Sequence, residues 1–341
     1  MKVKIADLKK VLSILKPGLS GGKETTDQSN TFAFQNGMAF TYNDDISVRC
    51  PFPLKKVQGA VSAKELQALI GKLKGDECDM EFTDNELLIK NGRVKAGIRL
   101  EAEIHMPIEE IKIPKLDKFM MLPKDFAKIL RSVVFSTSKD MSRPILTVIN
   151  CDQTIVESTD SERATQRDLD QDYFGTPILI PAEAAKPLIS YGTLDAYIAN
   201  GGWLHFDIGG GAVFSCRTIE GKFPELDELF AVEGQEIAFP KEIKDMMDRA
   251  GIFVEDDFDQ EKLVEISISD KGVLKVRAEG DSGWLEESMR VKHSGTAIQF
   301  NINPQYLVQI LSTIDKGVVS DNRILFESDS FRHVVALEVV E

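Results

Sequence analysis

Apolar and polar positions follow two different periods along this chain of 341 residues. Near the start, Leu8, Leu12 and Leu15 have the i, i+4, i+7 spacing of a helix with one apolar face. Comparable spacing predicts six helices, over residues 5–16, 62–74, 123–131, 181–190, 240–250 and 304–316. Four of them carry a proline where it suits the first helical turn, at Pro123, Pro181, Pro240 and Pro304.

Local signals mark where helices begin and where strands turn. Ser62 and Glu65 have the spacing of a capping box, which predicts a helix start. Between the helices, apolar and polar residues alternate as they do in half-buried strands. The pair Asn91-Gly92 predicts a hairpin turn, and Gly209–Gly211 predicts a turn between two further strands.

Two helical patterns each occur three times. The pattern at 122–131 returns at 239–247, and a looser copy runs from 5 to 15. A second pattern is found at 61–70, 180–183 and 302–311. Corresponding positions lie about 120 residues apart, close to a third of the chain. Repeated units of this kind usually build a surface and not a single catalytic pocket.

The order of elements in each third predicts the fold class. Each third has a strand, a helix, several strands, a second helix and several more strands. This order predicts an α+β protein of three repeated units, each with helices packed on one face of an antiparallel sheet. Stretches rich in proline, glutamate and lysine predict linkers near 107–118 and 221–235.

Composition indicates an ordinary globular protein of the cytoplasm. The chain is 43% hydrophobic and 28% charged, without an apolar run long enough to span a membrane. Its start lacks the apolar core of a signal peptide. Four cysteines are scattered singly without a Cys-x-x-Cys pair, which favours a reducing compartment; they are Cys50, Cys78, Cys151 and Cys216.

Charge is distributed unevenly. The net charge is −14, which argues against a simple nucleic-acid binder. The six predicted helices nevertheless hold fourteen basic and eight acidic residues, so the acidic excess lies elsewhere. Two interpretations stay open, because lysine suits exposed helices by propensity alone, whereas a positive helical wall would also face a polyanion.

Catalytic motifs are weak in this sequence. The segment Glu255–Glu261 is dense in carboxylates that could hold Mg²⁺ or Ca²⁺, but it lacks the ligand order of an EF-hand. The four histidines have no metal-ligand spacing, and no phosphate-binding glycine motif opens a helix. No cofactor is expected. A metal-dependent nuclease or hydrolase using the acidic loop 254–261 stays as one alternative, and a ring scaffold without a role on DNA as another.

Four segments resemble signatures of one known family, the bacterial-type sliding clamp or β subunit of DNA polymerase III. They are Arg143-Pro144-Ile145-Leu146, Ser158–Arg163, Gly221–Leu226 and Ile302–Leu307. Their order agrees with the threefold repeat, and the resemblance covers the whole chain. The chain departs from the family at Ser161-Glu162, where the family has Gly-His, and at its C-terminal end.

The resemblance implies a DNA clamp fold with three units, at 1–112, 113–235 and 236–341. Two copies would join head to tail into a ring around duplex DNA, held by sequence-independent contacts. The protein would tether the replicative DNA polymerase and the clamp loader, each carrying a short apolar peptide. It would perform no chemistry of its own and would need no membrane.

The resemblance also implies two sets of site residues. Leu146, Pro224 and Phe258 would form apolar walls of a peptide-binding groove, and Arg163, Asn303 and Tyr306 would donate or accept hydrogen bonds. The other implied groove residues are Thr159, Ser161, Val335 and Leu337. The implied DNA-facing residues are Lys9, Lys10, Lys64, Lys72, Lys124, Lys128, Arg131, Lys186, Lys241, Lys244 and Arg249.

Overall fold

The computed structural model describes residues 1–22, 26–254 and 263–338. Within these ranges the α-helices are α1 (Ile5–Leu15), α2 (Ala63–Lys72), α3 (Phe126–Val133), α4 (Ala182–Tyr191), α5 (Ile243–Val254) and α6 (Pro304–Ile310). Short 3-10 helices lie at Lys16–Gly18, Leu116–Lys118, Val134–Ser136, Pro144–Leu146 and Asp227–Leu229.

The strands fall between and around these helices. In the first part of the chain they are β1 (Lys2–Lys4), β2 (Thr31–Gln35), β3 (Met38–Tyr42), β4 (Ile46–Pro51), β5 (Gly59–Ser62), β6 (Glu77–Phe82), β7 (Glu86–Asn91), β8 (Val94–Glu101) and β9 (Met120–Met121). Then come β10 (Val148–Asp152), β11 (Ile155–Thr159), β12 (Arg163–Asp168), β13 (Ile178–Pro181), β14 (Ala196–Asn200), β15 (Trp203–Asp207) and β16 (Val213–Arg217). The last are β17 (Gln235–Ala238), β18 (Val264–Ile268), β19 (Val273–Gly280), β20 (Gly283–Arg290), β21 (Ile298–Ile302), β22 (Lys316–Val319), β23 (Arg323–Ser328) and β24 (Phe331–Ala336).

The chain divides into two compact units. Unit 1 comprises Met1–Val134, Val148–Thr154 and Gln171–Gly221. Its main sheet has twelve strands in the order β1-β6-β7-β8-β5-β2-β3-β4-β16-β15-β14-β9. Beside this sheet, β10 and β13 pair antiparallel. Helix α1 packs on α2 and β4, and α3 packs on α4, so the helices of this unit lie in pairs.

Unit 2 comprises Phe135–Thr147, Ile155–Asp170 and Lys222–Glu341. One set of strands runs in the order β11-β12-β24-β23-β22-β17, and a four-stranded sheet has the order β20-β19-β18-β21. Helix α5 packs on α6 and on β19. The apolar core of this unit includes Met246, Met247, Ile266, Leu274, Val276 and Leu307.

The predicted α+β class is confirmed, and each predicted helix is present in the part of the chain that the structure describes. Helix α1 shows why the pattern predicts well, because it buries Ile5, Leu8, Leu12 and Leu15 on one side. The Asn91-Gly92 hairpin is also present, joining β7 to β8. Gly209–Gly211 forms the turn between β15 and β16.

Four helix ends differ from the prediction by three residues or more, at the starts of α3 and α5 and at the ends of α5 and α6. Helix α3 begins at Phe126, α4 at Ala182 and α5 at Ile243, so Pro123, Pro181 and Pro240 precede these helices instead of entering their first turn. Asp125 stands before α3 with a left-handed φ of +84°, which interrupts the helical backbone there.

The predicted helix 304–316 ends at Ile310, because β22 starts at Lys316. Ser312 and Thr313 lie in the intervening turn, as expected of hydroxyl side chains that compete for backbone hydrogen bonds. None of the described helices combines the length and the hydropathy that a membrane crossing requires.

Helix starts use different caps from those predicted. Ser62 precedes α2, but its hydroxyl donates to the Glu65 carboxylate and does not cap a backbone N–H group. At α6, the Asn303 Oδ1 atom accepts a hydrogen bond of 3.0 Å from the Gln305 backbone N–H. The spacing of Ser62 and Glu65 therefore predicted the start of α2, but not the hydrogen bonds that are made there.

Two histidines are fully buried in the sheets. In unit 1 the His205 Nδ1 atom lies 2.8 Å from the Ser215 hydroxyl, and in unit 2 the His333 Nδ1 atom lies 2.8 Å from the Thr165 hydroxyl. Burial, aided by Arg49, lowers the pKa of His205 to about 4. Burial, aided by Arg163, lowers the pKa of His333 to about 3.

These buried histidines predict acid sensitivity. Both stay neutral in the folded protein, but in the unfolded chain they take up protons as the pH falls below their ordinary pKa of about 6.5. We expect the free energy of unfolding to fall by about 1.4 kcal/mol per pH unit for each histidine between about pH 6 and pH 4. Urea unfolding across that range, on wild type and His205→Gln, measures the slope.

The His205→Gln variant is expected to lose about one histidine's share of the slope, because glutamine does not ionise. His105→Gln removes an exposed histidine as the control, and we expect it to keep the wild-type slope. Equal slopes for His205→Gln and wild type would contradict the assignment of a neutral buried His205.

Candidate functional site

The turn between β11 and β12 is built by its own side chains. The Thr159 hydroxyl donates to the Arg163 carbonyl at 2.7 Å and accepts from the Ser161 N–H at 3.2 Å. The Asp160 Oδ1 atom accepts from the backbone N–H groups of Glu162 and Arg163. These hydrogen bonds fix the conformation of the turn, and with it the direction in which the Arg163 side chain points at the start of β12.

Ser161 keeps a backbone shape that favours glycine. Its φ is +82°, in the left-handed region, although the resembling family has glycine there. A residue with a Cβ atom costs about 1–2 kcal/mol in this conformation. The turn is retained because the Thr159 and Asp160 side chains hold it on both sides of Ser161.

Arg163 is the centre of a buried cluster. It is only 8% exposed, and its Nε atom donates to the Asp160 Oδ2 atom at 2.9 Å. Its other nitrogens donate to the Phe135 carbonyl and to the Gln309 amide oxygen. Its guanidinium carbon lies 3.9 Å from the centre of the Tyr306 ring, so the cation is stacked on that ring.

Tyr306 connects α6 to the β11–β12 turn. Its hydroxyl donates to the Glu162 Oε2 atom at 2.8 Å. Burial, followed by the charges of Asp160 and Glu162, raises the pKa of Tyr306 above its ordinary value. Burial also raises the pKa of Asp160, because it outweighs the pairing with Arg163. The hydroxyl of Tyr306 therefore stays protonated and serves as a donor at neutral pH.

A chain of hydrogen bonds lies below this cluster, and sequence reasoning missed it. The Ser136 hydroxyl is 2.6 Å from the Thr165 hydroxyl, which in turn contacts His333. The His333 ring lies 5.3 Å from the ring of Phe135, whose carbonyl accepts from Arg163. Ser136 ends a short 3-10 helix, whereas Thr165 and His333 lie on strands far apart in sequence. Only the alternating pattern of β12 and β24 could have suggested that Thr165 and His333 are buried.

The other implied groove residues occupy different environments. Leu146, Val335 and Leu337 are buried, and Val335 lies opposite Arg163 in the β12–β24 ladder. Pro224 is exposed. Phe258 lies outside the described residues, as does the acidic loop except for Val254. The structure thus brings Thr159, Ser161, Arg163 and Tyr306 together.

A pocket of about 240 Å³ opens between α5 and α6. Its apolar lining includes Met247, Ile252, Pro304 and Val308, and Asn303 is one of its polar lining residues. Among the implied groove residues that the structure describes, only Asn303 contributes to the lining of this pocket. Its carbonyl oxygen is already occupied by the α6 cap, so its amide N–H groups are the part that a ligand would meet.

The implied DNA-facing residues are exposed, except that Lys244 is half-buried. Several already have partners. Lys128 pairs with Asp125 at 3.1 Å, and Lys186 pairs with Glu183. Arg249 contacts both carboxylate oxygens of Glu287. With the helix bounds of the structure, nine basic and five acidic residues lie on the helices, so the helices keep an excess of positive charge.

Strands β8 and β20 each have an open edge among the described residues. Strand β8 pairs with β7 along Val94–Arg99, whereas its pairing with β5 covers only Leu100 and Glu101. Strand β20 is the last strand of the four-stranded sheet and pairs with β19. An open strand edge is a ready template for pairing with another chain.

The two edges differ in charge and carry exposed apolar residues. On β8, Lys95 and Arg99 are exposed. On β20, Glu286 is exposed, and Trp284 beside it is 68% exposed. Ile252 of α5 is 65% exposed. Large apolar side chains exposed near an open edge are typical of an association surface.

Known proteins of similar sequence are distant. A scan against protein-family models found no match. The chain is 26% identical over 226 residues to the beta sliding clamp homolog GriR of Streptomyces muensis. That match covers 59% of this chain and 59% of GriR.

Solved structures are similar over the whole chain. The DNA polymerase sliding clamp of Bacillus subtilis has a TM-score of 0.82 at 17% identity, and the match covers 100% of this chain and 99% of that one. The DNA polymerase III beta chain of Streptococcus pneumoniae has a TM-score of 0.84 at 18% identity, with 99% of each chain covered. The chain therefore has the fold of the bacterial DNA polymerase sliding clamp.

Proposed function

We propose that this protein is a sliding clamp and processivity factor. Two copies encircle duplex DNA and tether a replicative DNA polymerase, and the protein performs no chemistry of its own. The observation that carries the proposal is the likeness to sliding clamps along the full chain. The excess of positive charge on the helices of an acidic protein supports the same role.

We propose that the protein has three structural units, at 1–112, 113–235 and 236–341, and that it is located in the cytoplasm. Each of these units contributes one packed helix pair, α1 with α2, α3 with α4, and α5 with α6. A ring needs no tight grip on DNA, because enclosure prevents escape. Loose contacts to phosphates, without contacts to bases, then allow sliding.

A homodimer would join β8 of one copy to β20 of the other. Antiparallel pairing of these two open edges would place Lys95 and Arg99 near Glu286, so the charges are complementary. Trp284 and Ile252 would add apolar contact at the same place. Each copy has one edge of each kind, so two copies joined head to tail close a ring.

Charge reversal tests this dimer. We expect Lys95→Glu with Arg99→Glu to raise the dimer dissociation constant at least about 10-fold, because like charges would then face each other. Adding Glu286→Lys to the same chain should restore dimerisation. Sedimentation equilibrium at micromolar concentration measures both, and Lys55→Glu with Lys56→Glu is the control with two exposed lysines reversed elsewhere. A wild-type protein that is only monomeric would reject the dimer.

The cluster of Arg163 and Tyr306 is proposed as one wall of a groove for a short apolar peptide of the polymerase or the clamp loader. Tyr306 is half-exposed, so a peptide could reach its ring, while Arg163 holds the ring from below. Aromatic anchors of this kind often dominate binding energy. Leu146 is a poorer test position, because its burial means that truncation would also destabilise the fold.

Two substitutions at Tyr306 test the groove. Tyr306→Ala removes the ring, and we expect at least about 10-fold weaker stimulation of DNA synthesis. Tyr306→Phe keeps the ring over Arg163 and loses only the bond to Glu162, so a smaller loss is expected. The assay is product length with the replicative polymerase of the same organism on a primed linear template, onto which a ring can thread. Full stimulation by a stably folded Tyr306→Ala would discard the groove assignment.

A further inference from the structure

The three helix pairs carry unequal charge. Helices α1 and α2 hold four basic and two acidic residues, a net charge of +2. Helices α3 and α4 hold three basic and one acidic residue, again +2. Helices α5 and α6 hold two basic and two acidic residues, so their net charge is zero. All of the positive excess on the helices therefore lies on α1–α4.

The two cations of α5 are also already engaged. The Arg249 guanidinium donates to Glu287 at 2.7 and 3.0 Å, a two-pronged contact to one carboxylate. The Lys244 ammonium donates to the Ser312 hydroxyl at 2.8 Å and is half-buried. Helix α6 has no charged residue, and its exposed polar positions are Gln305 and Gln309. A DNA phosphate that approached α5 and α6 would meet helices with no net charge. To contact Arg249, it would have to displace the Glu287 carboxylate.

The other two pairs offer free cations. Lys10, Lys64, Lys72 and Arg131 are exposed and make no ion pair within the described ranges. Lys9 is exposed as well, with one long contact of 3.4 Å to the Gly71 carbonyl. Exposed ammonium and guanidinium groups of this kind release counterions when they meet phosphates.

We infer that duplex DNA is contacted through α1–α4 and that the α5–α6 pair does not contribute to phosphate binding. This inference rests on the proposed function and narrows it. Of the eleven basic residues that the resemblance implies for DNA, Lys241, Lys244 and Arg249 are excluded. Lys241 is exposed, but Glu242, Asp245 and Asp248 follow it closely in the chain and cancel the local positive charge.

Two matched triple variants test the inference. One carries Lys9→Gln, Lys64→Gln and Arg131→Gln, and the other carries Lys241→Gln, Lys244→Gln and Arg249→Gln. Each removes three positive charges. Association with a fluorescent linear duplex is measured by anisotropy between about 50 and 200 mM salt, and the slope of log K against log salt is compared. Sedimentation and thermal unfolding check that both variants stay assembled and folded under the assay conditions.

We expect the first variant to flatten the slope, by up to about 0.9 for each phosphate contact removed. The second variant should keep the wild-type slope. If both variants flatten it equally, or only the second does, the inference is overturned while DNA binding stands. If wild type itself shows no salt-dependent association with the duplex, the proposed function fails, and the inference fails with it.

Discussion

Each helix that the structure describes buries one apolar face, and this constraint decides where its charged residues lie. Helix α1 buries Ile5, Leu8, Leu12 and Leu15, so Lys9 and Lys10 are left on the exposed side. Helix α3 buries Phe126 and Leu130 in the same way and leaves Lys128 and Arg131 exposed. The charged residues of the helices therefore lie mainly on their exposed sides. Packing does not decide which residue occupies an exposed position, so that residue can be suited to contact with a partner.

The cluster around Arg163 shows the opposite situation, in which a charge is buried. A guanidinium that is 8% exposed requires partners for its N–H groups, and Asp160, Gln309 and Phe135 supply them from three separate segments. The buried Arg163 guanidinium stacks on the half-exposed Tyr306 ring and thereby holds this ring in place. The proposed groove therefore depends on the integrity of the core below it, including the contact between Phe135 and His333.

Periodicity predicted the helices well, because burial of one face leaves a direct mark on the sequence. The proline signal was wrong at Pro123, Pro181 and Pro240, since a proline marks the approach to a helix as readily as its first turn. The site was harder to predict. Thr159, Arg163 and Tyr306 were found through resemblance. Ser136 and His333 carry no sequence signal that distinguishes members of a buried hydrogen-bond chain from ordinary residues of a 3-10 helix or a strand.

Uneven charge among the helix pairs has a physical consequence for sliding. A closed ring does not need cations on every inner surface, because enclosure already prevents loss of the DNA. Each added phosphate contact would strengthen the salt-dependent attraction and slow movement along the duplex. In the proposed dimer, neutral α5–α6 pairs would alternate with two positive pairs around the ring. The positive helix pairs would then attract the duplex, and the neutral pairs would not retain it. The ion pair of Arg249 with Glu287 would stabilise unit 2 and would not contact DNA.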